Sequence, residues 1–194
     1  MLRNIKFKNY YLFQKSLAIV SNKTEPYDKI LSINSPMLVH FSEAQIIPSH
    51  YRERIIENDL GITIEEDNRP IASTFISFNN ICINGAGICL RIRNSSSYFY
   101  WTYVNQEKRG LKAFSRIHKF IIKTTQEKDL HKTCCLVDTN NTSMRDILDS
   151  YNYSCTQKIS FLRLGSINFV RIQYYNPKKS EYFLYTNIPP VIEI

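Results

Sequence analysis

No stretch of the 194-residue chain approaches the roughly 18 consecutive apolar residues that a membrane-spanning helix needs. Five cysteines occur without a CxxC pair or a Cys/His spacing suited to zinc, so no metal set is expected. The histidines form no His-acid-nucleophile grouping, and a serine or cysteine nucleophile is not supported. His118 is expected to pack within a helix and His131 to be exposed in a loop. Internal repeats and low-complexity tracts are also missing. The first 24 residues carry Arg3, Lys6, Lys8, Lys15 and Lys23 but no acid. They lack the long apolar centre and cleavage site of a targeting peptide, and are expected to begin the domain.

What is present is a globular balance of apolar and charged residues with a formal net charge of +8 and a pI near 9.2. That charge reads equally as a sign of an anionic partner or as the by-product of an Ile/Asn/Lys/Tyr-rich composition. The length suits one domain with a real core. We expect residues 1–60 to be its N-terminal part, 61–175 its core and 176–194 a C-terminal arm. The arm would cover an edge strand or exchange with a partner, which leaves a homodimer open.

Helical spacing of Tyr51, Ile55, Ile56 and Leu60 predicts a helix over 49–60, stopped by Gly61. "ITIEED", "PIASTFISF", "NICI", "GICLRIR" and "SYFYWTYV" read as an antiparallel meander. Residues 110–125 give one apolar helical face through Phe114, Ile117 and Ile121. "KTCCLVD" is a strand buried on both faces. "TSMRDILDSY" is a second helix, and "KISFLRL" and "NFVRIQYY" close as a hairpin. Cys134 and Cys135 belong to the core. Cys82 and Cys89 flank "INGAGI" and face each other across a hairpin tip; a disulfide is conceivable there, but reduced thiols in a cytoplasmic protein are the expectation. The order is that of an α+β domain and not of regular βα alternation.

One stretch is chemically pointed. In "YWTYVNQEKRGLKAFSRIHKFIIK" a strand runs into Lys108, Arg109, Gly110 and Lys112 just where a helix begins. Helix starts favour carboxylates, because the dipole end is already positive. Cations there make sense if the turn holds an anion, with backbone N–H groups aimed outward and Gly110 permitting close approach.

With the element order, this turn resembles that of the GNAT superfamily of acyl-CoA-dependent N-acyltransferases, written roughly V-x-P-x-x-R-G-x-G/A. Val104, Arg109 and Gly110 match; Gln106 replaces the proline and Lys112 the second small residue. Downstream the family has an Asn-x-x-small/Met element, a helix and a Gly-Phe pair, here Asn141 to Met144, the second helix, and Asn152–Tyr153. The resemblance spans about residues 60–175. It implies a central mixed, mostly antiparallel twisted sheet flanked by helices. It also implies acetyl-CoA or another acyl-CoA as co-substrate, and no metal. Coenzyme A contacts would come from Tyr103, Val104, Lys108, Arg109, Gly110, Leu111, Lys112, Ala113, Phe114 and Asn141.

For chemistry, the resemblance puts the thioester on strand 98–104, with backbone N–H groups near Thr102–Val104 polarising its carbonyl. Strand alternation sets Tyr98, Tyr100, Thr102 and Val104 on one face and Phe99, Trp101 and Tyr103 on the other. Tyr100 stands where relatives often carry a carboxylate base, and Glu65 and Glu66 are the nearest carboxylates in sequence. The family's tyrosine acid falls on Leu148, which cannot donate a proton; Tyr151 lies one helical turn further on the same face. The expected activity is acyl transfer to a primary amine of a small molecule, in the cytoplasm. The spacing is similar to GNAT proteins of surface-polysaccharide pathways, which acylate nucleotide-linked amino sugars. Alternatives are acylation of a macromolecule, a tRNA-linked amine or a protein, with nucleic acid the less favoured partner, or a non-catalytic acyl-CoA-binding module.

Overall fold

The computed structural model describes residues 5–17, 30–31, 59–66, 69–83, 85–93, 95–109 and 111–194. Strands β1 (Ile5–Ser16), β2 (Ile30–Leu31), β3 (Leu60–Glu66), β4 (Arg69–Ser77), β5 (Ile81–Ile83), β6 (Ile88–Arg91) and β7 (Ser96–Val104) precede helix α1 (Leu111–Glu127). Then come β8 (Lys132–Asp138), α2 (Thr142–Ser150), β9 (Ser154–Leu164), β10 (Ile167–Tyr175), β11 (Lys178–Tyr185) and β12 (Val191–Glu193). The order is α+β, as the sequence implies.

The chain divides into two compact units. One comprises Met1–Ser16, Asn79–Ser96 and Cys134–Ile194, and the other Leu17–Phe78 and Ser97–Thr133. In the first, the sheet runs β11-β10-β9-β1-β8, so the strand nearest the N-terminus lies between two strands from the C-terminal half. β1 pairs antiparallel with β9 from Ile5↔Leu164 to Gln14↔Ser154, with a bulge at Leu12/Phe13. One face buries Leu12, Ile159, Phe161, Val170 and Ile172. It is covered by a small second sheet, β12-β6-β5, in which β12 runs parallel to β6. The tip of the β5–β6 hairpin docks there: Tyr10 donates to the Gly85 carbonyl (3.1 Å) and Tyr185 to that of Gly87 (2.7 Å). Gly87 has φ +63° and lies against the Phe161 ring, so both its backbone and its lack of a side chain are required.

Residues 176–194 pair within the first unit, β11 along β10 at the sheet edge and β12 along β6. Two sequence expectations change here. β5 and β6 leave the meander for the separate sheet, because their short apolar runs cover the buried face of the larger one. Cys82 and Cys89 are joined as a disulfide, not held as thiols: they are direct cross-strand partners with Cα atoms 3.9 Å apart.

In the second unit the sheet runs β7-β4-β3-β2. Its core is Ile62, Ile64, Ile76 and Phe99 with Phe114, Ile117 and Ile121 of α1, at the helical spacing read from sequence, and Phe75 is buried on the other face of the sheet. Gly61 does not stop a helix. It sits inside β3 opposite Phe75, whose ring covers it; of the helix predicted at 49–60 only Asp59 and Leu60, the first residue of β3, are described, and the rest lies outside the described residues. Both described α-helices are followed by a left-handed residue that is not glycine, Asp129 (φ 55°) and Asn152 (φ 59°). After α2, Tyr153 N–H donates to the Leu148 carbonyl and Asn152 N–H to that of Asp149, satisfying the last carbonyls. Asn152 thus serves where the family pattern has glycine.

Candidate functional site

The second unit holds most of the candidate residues, and its β7 is irregular at one point. Ser73 pairs with Tyr103 and Phe75 with Tyr100, so Trp101 and Thr102 together face the single residue Thr74. This is a β-bulge, and Trp101 takes the left-handed conformation (φ 48°) that lets the strand absorb the extra residue. Thr102 Oγ1 lies 3.0 Å from Thr74 Oγ1, and the Thr74 hydroxyl also reaches the Tyr100 carbonyl at 3.3 Å.

The bulge overturns the expected alternation. Beyond it the side-chain phase slips by one, so Tyr103 joins Tyr98 and Tyr100 on one face while Thr102 and Val104 join Phe99 on the other. Trp101 sits with the tyrosines: its ring is 5.5 Å from Phe75 and stacks on Tyr103 at 6.1 Å. Tyr98 stacks on Tyr100 at 5.9 Å. Four aromatic residues thereby share one side of β7, Trp101 and Tyr103 half-buried and Tyr98 and Tyr100 buried. In register with Tyr103, the buried Ser73 hydroxyl has no hydrogen-bond partner among the described residues.

The sequence reading missed Asp59. It is 3 % exposed, at the entrance to β3, and its Oδ2 accepts a 2.5 Å hydrogen bond from the Tyr100 hydroxyl. Reading 49–60 as one helix hides it, and leaves Glu65 and Glu66 as the nearest carboxylates in sequence. An acid just before an apolar strand is the signal the sequence offers.

After Val104 the chain makes one 3-10 turn, Gln106–Lys108. Asn105 caps it, its Oδ1 accepting from Glu107 N–H (3.1 Å), while Lys108 N–H donates to the Asn105 carbonyl (2.9 Å) and Arg109 N–H to that of Gln106 (3.4 Å). The expected run of outward N–H groups is therefore corrected: those of 107 to 109 bond within the turn. Outward-facing charge is supplied by side chains, since Lys108, Arg109 and Lys112 are all exposed, Arg109 Nε also reaching the Val104 carbonyl at 3.5 Å. No acid occupies the first turn of α1. Gly110 lies outside the described residues. Leu111 opens α1, and Ala113 and Phe114 are buried on its inner face, where Phe114 stacks with the buried His118.

The first unit carries the remaining two candidates, at opposite ends of α2. Asn141 caps the start, its Oδ1 accepting from Met144 N–H at 3.1 Å. Tyr151 is the C-cap, and its carbonyl accepts a 2.8 Å bond from Lys15 Nζ. A nine-residue helix separates them by roughly 13 Å, so they do not meet. Leu148 is fully buried core. Among the described residues no group of three His, Cys, Asp or Glu could hold a metal, and no helix is long and apolar enough to cross a membrane.

No protein-family model matches the chain, and no curated protein matches it. Solved structures do. A protein ascribed to the GNAT acetyltransferases from Novosphingobium aromaticivorans superposes with a TM-score of 0.59 at 12 % identity, covering 80 % of this chain and 63 % of its own. A GNAT-family acetyltransferase from Colwellia psychrerythraea gives 0.56 at 14 % identity, covering 83 % and 57 %. A Drosophila protein gives 0.55 at 11 % identity, covering 84 % and 52 %. The chain thus has the GNAT fold and spans between about half and two thirds of the length of the structures it matches.

Proposed function

We propose that the protein binds an acyl-CoA and transfers an acetyl or other short acyl group to a primary amine. The observation that carries this reading is the succession of a bulged β7, an exposed basic turn and an acid-free helix start. The donor set fits the co-substrate: Lys108, Arg109 and Lys112, with the start of α1, would hold the pyrophosphate by charge-assisted contacts. Tyr103 and Val104 would lie along the pantetheine arm, and Asn141 is proposed as a further contact. The acyl-CoA supplies the acyl group as an activated thioester.

The chain's residues then have three tasks. Backbone N–H groups near Thr102 polarise the carbonyl as the amine nitrogen attacks its carbon. The Tyr100 hydroxyl, held by the Asp59 carboxylate, receives a proton from the attacking amine, directly or through water, as its own proton passes to Asp59. The carbon–sulfur bond breaks, and the thiolate takes a proton for which Tyr151 is the candidate donor, since Leu148 cannot serve.

The acceptor is proposed to be a small polar molecule with a flat face, a nucleotide-linked amino sugar being the model case. The stacked Trp101 and Tyr103 rings suit a sugar plane, and the Ser73 hydroxyl beside them is available to a hydroxyl or amide. A cytoplasmic location goes with a coenzyme A thioester; a reducing compartment would hold the Cys82–Cys89 pair as thiols. The net charge of +8 supports a second reading, a polyanionic acceptor such as a tRNA-linked amine.

Titration calorimetry with acetyl-CoA and free coenzyme A tests the proposal. Micromolar binding to the wild type is expected, weakened at least about tenfold in Arg109→Ala with Lys112→Ala. Folded wild type that binds neither ligand would sink the acyltransferase reading.

A further inference from the structure

The five-stranded sheet of the first unit has a second face, and among the described residues only half of it is covered. At one end α2 lies over it: the Arg145 guanidinium sits 4.8 Å from the centre of the Tyr11 ring. Toward the other end the register places Phe7, Leu162, Phe169 and Leu184 in a single row across β1, β9, β10 and β11. The next row is Ile5, Leu164 and Ile167. Tyr182 extends the patch, its ring 6.1 Å from that of Phe169. These are not stray surface residues: Phe7 is 62 % exposed, Tyr182 59 % and Leu184 73 %, while Ile5, Leu164 and Ile167 are each about half exposed.

We propose that this half-face docks a second copy of the chain, sheet to sheet, about a two-fold axis. Three observations favour that occupant. The exposed side chains offer on the order of 600–700 Å² of apolar surface, above the ~300–600 Å² of the largest patch on a typical monomer. That amount approaches the ~800 Å² each partner contributes to a standard stable interface. An isologous contact also sets like against like, which a charged face of a +8 chain would resist. In the three register rows from Ile5 to Tyr182 the only charged side chain is Arg171, and its guanidinium lies over the Tyr182 ring at 5.6 Å. The surface is therefore nearly free of self-repulsion, and two such faces would pack at about 10 Å.

Sedimentation equilibrium of the full chain at micromolar concentration is the test. A mass twice the 22.8 kDa of one chain is expected, with association tightening as salt screens the residual net charge. Phe7→Lys and Leu184→Lys are each expected to weaken association at least about tenfold. Leu184→Ala, which removes apolar surface without adding charge, should act in the same direction. Circular dichroism spectra should be unchanged in all three, which separates lost association from lost fold, while their melting temperatures fall toward that of the free monomer. A wild type that stays one chain at the highest concentration overturns the proposal. So does a dimer that the three substitutions leave intact, or one that salt dissociates.

Discussion

Tyr100 and Asp59 show what one buried hydrogen bond does at the residue scale. A carboxylate 3 % exposed must be satisfied by polar partners, and the 2.5 Å bond from Tyr100 is a short, charge-assisted one. If the pair acts as the proton relay, Tyr100→Phe should lower kcat about 10- to 100-fold, with coenzyme A affinity unchanged by calorimetry. The same substitution should cost about 1–3 kcal/mol in urea unfolding, because it strips a donor from a buried acid. A stability loss with unchanged kcat would make the pair structural. Trp101 shows the limit of sequence reading at this scale. The run Tyr98–Phe99–Tyr100–Trp101–Thr102–Tyr103 is aromatic or β-branched throughout, so it carries no charged residue to mark which face is which. A one-residue bulge could not be seen in it.

At the scale of elements, helices read well and pairings read partly. The apolar face of α1 was legible because Phe114, Ile117 and Ile121 recur at 3.6-residue spacing, a purely local property. The β9–β10 hairpin was legible through Gly165–Ser166. The separate sheet of β5, β6 and β12 was not, since β12 pairs with a strand about a hundred residues earlier and nothing local announces that. In the candidate site, the basic turn at 108–112 was legible as charge. How the turn spends its own N–H groups depends on Asn105, whose cap had no weight in a pattern built on Arg109 and Gly110. The β5–β6 hairpin offers a measurable case of cross-linking. Cys82 and Cys89 close a short loop, for which chain entropy predicts about 2 kcal/mol of stabilisation of the first unit. Reduction, or Cys82→Ser with Cys89→Ser, should therefore lower Tm by about 4–8 °C in calorimetry. No change would mean that the docking of Gly85 and Gly87 on Tyr10, Phe161 and Tyr185 fixes the hairpin unaided.

For the whole molecule, alkaline pH is the informative variable. The Tyr10 hydroxyl is pushed up to about 12, first by burial and then by the charge of Asp138. Tyr174 is also pushed up to about 12, by burial and by its bond to Glu181. An unfolded chain releases these protons near the ordinary value of 10.0, so between about 10 and 12 the folded state binds more protons than the unfolded one. Stability from these groups is complete below pH 10 and is lost as pH rises through 12. Tm should fall steeply across that window, and Tyr10→Phe should flatten part of the slope; a flat profile in the wild type would contradict it. The placement of β1 has a consequence during synthesis. Its partner strand β9 begins at Ser154 and pairs back to Ile5, so β1 emerges from the ribosome long before its neighbour exists. At about 5–20 residues per second, a strand bearing Phe7, Tyr10, Tyr11, Leu12 and Phe13 waits roughly ten seconds or more with its edges unpaired. A nascent chain of this kind is a natural client for holdase chaperones, and its yield should depend on translation speed as much as on the stability of the finished fold.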